Sequence, residues 1–146
     1  MAAALMGAAA FQKGLGAVHA LSHPIGGLYD LHHGTLNAIF MPYVLVFNRP
    51  YIEDKMIRLA RYLDLPTYSF TAVLDWVIAL NQALALPATL QEVGVDLSQA
   101  DAIIAGALTD PSGLTNPRPV SAAAYHALLT AAVNGDMTVL ASLQGD

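Results

Sequence analysis

The sequence predicts an all-α chain of about seven helices, forming one domain over residues 1–146. Three observations lead there. Apolar residues recur at helical spacing, and no segment shows convincing strand alternation. Start signals stand at Ser69, Thr89-x-x-Glu92 and Ser98-x-x-Asp101, with stops at Pro87, Gly94 and Asn134-Gly135. The length suffices for one core, with no internal repeat, low-complexity tail or inter-domain linker.

Residues 1–22 are alanine-rich and free of proline, which predicts one long helix. Gly14 and Gly16 lie inside it; each costs about 1 kcal/mol in a helix interior, so close packing against another backbone or a ligand is the expected compensation. Pro24 disfavours helical geometry at the residue before it, so the helix is expected to end near His23, with Gly26 and Gly27 turning the chain. A second helix spans 33–47, kinked at Pro42, and residues 48–50 read as a break before Pro50. Residues 51–63 form an amphipathic surface helix with Ile52, Met56, Leu59, Ala60 and Leu63 on its apolar side. Ser69 caps a helix reaching about Leu84, with Phe70, Val73, Leu74, Val77 and Leu84 along one side and Trp76 expected in the core. The box at Thr89 and Glu92 stops at Gly94; the next helix opens at Ser98-x-x-Asp101 and runs to about Thr109. Residues 110–119 form a loop with three prolines, 121–133 a helix, and a short helix follows Gly135.

Charged residues make up 12% of the chain and apolar residues 55%, a surface too apolar to stand free with ease. Either the chain is buried against something larger, or it is a compact alanine-rich monomer. Net charge is −5 with six scattered Lys and Arg, which excludes a nucleic-acid backbone as partner. With no cysteine there is no disulfide framework and no thiolate metal site, a composition compatible with the cytoplasm. The apolar N-terminus lacks a basic n-region, and the run 36–47 is too short to span, so no membrane is expected.

Four of the five histidines fall between Gly14 and Asn37: His19, His23, His32 and His33. His19 and His23 are four apart, hence on one helix face. His33-Gly34 opens the next helix, so three imidazoles gather between one helix end and one helix start. Neutral imidazole ligates divalent iron and zinc, although a helical pair of histidines serves packing as well. The pattern differs from the HExxH of zinc proteases, because Ala20 follows His19 and no glutamate supplies a base. Asp30 reads as a turn residue that could orient a ligand imidazole, His32 as incidental, and His126 as surface or core.

The whole stretch resembles the signature of iron-containing (group III) alcohol dehydrogenases, in which a glycine-rich helix carries H-x3-H-P, then glycines, then H-G-x-x-N-A. Here those are His19, His23-Pro24, Gly26-Gly27, His33-Gly34 and Asn37-Ala38, with His19 and His33 fourteen apart as in the family. Thr115-Asn116-Pro117-Arg118-Pro119 is similar to a second family motif, and the helical text between the two also matches. The resemblance implies part of a dehydroquinate synthase-like helical domain and hydride transfer between an alcohol or aldehyde and NAD or NADP. It implies His19 and His33 as ligands to Fe2+ (or Zn2+), which acts as a Lewis acid on the substrate oxygen. His23 matches a catalytic histidine beside the nicotinamide, positioning the cofactor or relaying a proton. Arg118 is expected to be structural, bonding a helix end or a carboxylate.

One departure is large. The family's N-terminal nucleotide-binding α/β domain and two further metal ligands, an aspartate and a histidine, lie upstream of the histidine helix and have no counterpart before Gly14. The chain is therefore expected to be a C-terminal piece, inactive alone and inclined to form homo-oligomers. The rival expectations are a helical binding or assembly module without catalysis, and a piece of a metal-independent, maleylacetate-reductase-like enzyme.

Overall fold

The computed structural model describes residues 1–141, and all regular structure there is helical. The α-helices are α1 (Ala2–Phe11), α2 (Ala17–Tyr29), α3 (His33–Tyr62), α4 (Phe70–Ala83), α5 (Ala100–Thr109), α6 (Ala122–Asn134) and α7 (Thr138–Ala141), with 3₁₀ turns at Gln91–Val93 and Pro111–Thr115. The core lies where α2, α3, α5 and α6 meet: Leu21, Ile25, Leu36, Phe40, Phe47, Ile103, Leu128 and Leu129 are all essentially buried.

The first expected helix is two helices. Gly14 takes a left-handed φ of 86°, where a Cβ would overlap the side chain of Thr115, and a Cβ on Gly16 would stand 3.1 Å from Asn116 Oδ1. The close approach expected at these glycines is thus made by the 115–116 loop, and it separates α1 from α2.

Helix α2 does not end at His23. It continues through Pro24, Gly26 and Gly27 to Tyr29, and the turn falls at Asp30, left-handed at φ 52°. An interior proline costs about 3 kcal/mol. Full burial of a Leu or Ile side chain returns about 1.5–3 kcal/mol, so Leu21 and Ile25, both at 0% exposure, offset it. Pro24 also packs on α5, where a Cβ on Gly106 would come within 2.8 Å of Pro24 Cβ.

The break expected at 48–50 is likewise absent, since α3 is continuous over 30 residues. Pro42 cannot donate to the Ala38 carbonyl, and Asn81 Nδ2 donates to it instead at 2.9 Å. Around Pro50 the helix is held from outside. Asn48 and Asn116 exchange side-chain hydrogen bonds of 3.0 and 2.8 Å, and Arg118 Nη1 donates to the Phe47 carbonyl at 3.0 Å.

Capping at Ser69 and at Thr89 with Glu92 follows the sequence signals, and Ser121 caps α6. Gly94 and Gly135 end their helices in left-handed conformation. Ser98 bonds Asp96 rather than capping α5, whose N-cap is Gln99. Trp76 is 41% exposed rather than in the core, because α4 buries only Phe70 and Val73. Among the described residues no helix is long and apolar enough to cross a membrane.

Candidate functional site

Two helices each present a pair four residues apart: His19 and His23 on α2, His33 and Asn37 on α3. The α2–α3 turn brings the pairs together. The ring centroids of His19, His23 and His33 form a triangle with sides of 5.7, 5.1 and 5.2 Å, and His23 and His33 stack within 16° of parallel. His19 is half-buried, while His23 and His33 are open to solvent.

Asn37 joins the first and third rings. Its Nδ2 donates to His33 Nε2 at 2.9 Å and to His19 Nε2 at 3.3 Å. Both Nε2 atoms therefore face one point, held by the Asn37 amide nitrogen. Asn37 Oδ1 is buried without a partner, so the amide is held by its nitrogen alone. Burial, reinforced by the neighbouring rings of His33 and His23, lowers the pKa of His19 below its ordinary 6.5, with Asp110 acting the other way. That keeps the ring neutral, the form that ligates a metal.

The donor set fits iron or zinc as a half-site. Imidazole suits both metals, and His19 and His33 converge, but among the described residues no group of three His, Asp or Glu side chains is placed to hold an ion.

His23 Nδ1 and Asp110 Oδ2 are 2.7 Å apart, and Asp110 is 13% exposed against 42% for His23. Asp110 also accepts from Ser112 N–H through Oδ1 at 2.8 Å, capping the 3₁₀ turn. Burial pushes the carboxyl up, yet the bonds from His23 and Ser112 prevail and hold it below the ordinary carboxylate value. The sequence reading missed this residue. Asp110-Pro111-Ser112 is visible as a turn signal, but nothing in the text shows a carboxylate reaching across 87 positions to an imidazole. Asp30 caps the end of α2, and no hydrogen bond joins it to a site histidine.

The second motif frames the first. Asn116 Oδ1 accepts from Ala17 N–H at 3.2 Å, fixing the start of α2, and its Nδ2 donates to the Arg118 carbonyl. Arg118 ties the loop to α3: its Nη1 donates to the Phe47 carbonyl and its guanidinium lies over the Phe47 ring, 4.3 Å from the centroid. His32 is not incidental: its Nδ1 accepts from Thr35 N–H at 3.3 Å and caps α3, one residue before His33. His126 is exposed on α6. Beside His19 and Asn37 opens a largely apolar cleft of about 460 Å³, walled by Phe11, Met41 and the backbone of Gly14–Ala17.

The model of the Fe-containing alcohol dehydrogenase family, C-terminal part, matches residues 1–133. 4-Hydroxybutyrate dehydrogenase of Cupriavidus necator is 46% identical over 138 residues, covering 88% of this chain and 36% of the relative. Lactaldehyde reductase of Escherichia coli K12 is 33% identical over 111 residues, covering 72% and 29%. A crystal structure of 1,3-propanediol oxidoreductase superposes with a TM-score of 0.75 at 26% identity, covering 81% of this chain and 32% of that one. The chain spans about a third of the length of the relatives it matches.

Proposed function

Since the chain belongs to the Fe-containing alcohol dehydrogenase family, we propose that it is the C-terminal helical part of an NAD(P)-dependent enzyme interconverting a small alcohol and its aldehyde. The observation that carries this reading is the convergence of His19 Nε2 and His33 Nε2 on one point at the end of a family-matched domain. These two side chains hold the metal, Fe2+ or Zn2+, and the missing N-terminal nucleotide-binding domain supplies the other ligands. When bound, the metal supplies Lewis acidity toward a substrate oxygen.

The chain's own residues do the rest. His19 stays neutral through burial, and Asn37 sets the spacing of the two ligand rings. His23, stacked on His33, stands beside them with an exposed edge, placed to exchange a proton with substrate or cofactor. The apolar cleft next to His19 offers an apolar wall to the carbon chain of a short substrate. Leu5, Met6 and Phe11 of α1, each more than 60% exposed, belong under the absent domain or a second copy, in a soluble cytoplasmic homo-oligomer.

A hybrid enzyme tests the reading: the corresponding third of the Cupriavidus 4-hydroxybutyrate dehydrogenase is replaced by this chain. Alcohol-dependent NAD(P)H formation should appear with Fe2+ and drop in His19→Ala or His33→Ala by more than the roughly 10–100-fold that loss of a residue merely supporting a ligand costs. The chain alone should be inactive. A folded hybrid that turns over equally well after chelation would instead favour the metal-independent, maleylacetate-reductase-like alternative, and turnover by the isolated chain would overturn the need for a second domain.

A further inference from the structure

We infer that Asp110 is the positioning residue for His23: its carboxylate accepts a hydrogen bond from the Nδ1–H of that ring and leaves Nε2 as the nitrogen facing chemistry. The bond is 2.7 Å long, between a carboxylate that is 13% exposed and a ring that is 42% exposed. Asp110 is itself immobilised, because its other oxygen accepts from the Ser112 N–H at the start of the 3₁₀ turn. An ionised carboxylate only accepts, so the ring nitrogen opposite it must carry a hydrogen. A free neutral imidazole has no such constraint, and the carboxylate therefore selects one tautomer.

The same short loop grips α2 twice. Asp110 holds the His23 ring, and Asn116, six residues later, holds the Ala17 N–H. Ring orientation and helix start are thus referred to one rigid segment, and the stacked geometry of His23 on His33 depends on both. The use of Nε2 in proton exchange rests on the dehydrogenase reading; the tautomer itself does not.

The test is long-range ¹H–¹⁵N correlation on the uniformly labelled 146-residue chain, at a pH where His23 is neutral. The expected result is the Nδ1–H tautomer for His23, lost toward Nε2–H in Asp110→Ala. Asp110→Asn that keeps its oxygen on Ser112 turns the amide nitrogen, a donor only, toward Nδ1 and is expected to shift His23 to Nε2–H. An Nε2–H tautomer in the unchanged chain would overturn the inference even if no variant folds. So would an unaltered Nδ1–H signal in folded Asp110→Ala. Because no alcohol, nucleotide or metal enters the measurement, its failure is distinguishable from failure of the dehydrogenase reading, which the hybrid enzyme reports.

Discussion

His19 carries a proton-linked cost that can be read in stability. Its pKa is lowered in the fold from 6.5, chiefly by burial. The unfolded ring protonates near the ordinary value while the folded ring resists, so the folded state binds fewer protons. The contribution is intact above about pH 6.5 and is lost as pH falls from there through the lowered value. Urea midpoints should therefore drop between about pH 7.5 and 5.5, and His19→Gln should flatten that slope; equal slopes in the two proteins would contradict the account. Asn37 offers a second handle. A carboxylate oxygen in place of its Nδ2 would lie 2.9 and 3.3 Å from two imidazole nitrogens, close to the ligand spacing of tetrahedral zinc. Asn37→Asp should bind zinc several-fold tighter by calorimetry, and unchanged affinity would mean that the two rings do not share a site. The pairing of His19 with His33 was legible in the sequence through spacing and family motif. Asp110 was not, because its contact with His23 spans 87 positions of the chain.

Helix-level packing separates two glycines of similar appearance. Gly27 has open space around a notional Cβ, whereas one on Gly106 would meet Pro24 at 2.8 Å. Gly27→Ala should stabilise the chain by about 0.5–1 kcal/mol through helix propensity. Gly106→Ala should cost about 1–3 kcal/mol through overpacking between α5 and α2. Denaturant unfolding of the two variants checks this, and the same sign for both would contradict the packing described. Local rules served well at several caps and stops: Ser69, Gly94 and Gly135 lie where their residue types suggest, while Ser98 does not cap α5. They failed at Pro24 and Pro50, where tertiary burial and the Asn116 and Arg118 bonds override a proline that locally favours a break. Trp76 failed in the opposite direction, since an apolar stripe indicates burial only when another element covers it.

At the scale of the molecule, the two family motifs form one construction. The 110–119 loop closes over the start of α2, and Asn116 alone bonds Ala17, Asn48 and the Arg118 carbonyl. Asn116→Ala strands several part-buried polar groups and should destabilise by about 2–4 kcal/mol, at about 1–3 kcal/mol per stranded group with partial rescue by water; a loss under about 0.5 kcal/mol by urea unfolding would show that the loop is not a clamp. The all-α architecture was legible because helical spacing recurs along the chain, even where helix ends were misplaced. That an N-terminal helix would leave Leu5, Met6 and Phe11 open was foreshadowed only by the low charge content.

The central claim, that His19 and His33 form one metal half-site, is tested most directly by titrating zinc into the ¹⁵N-labelled chain while following its imidazole resonances. The exposed His126 serves as an internal reference for adventitious binding. The account predicts that His19 and His33 respond together and at lower zinc than His126, and that His19→Ala delays the response of His33. Rings that respond no earlier than His126, or a His33 response untouched by His19→Ala, would contradict it.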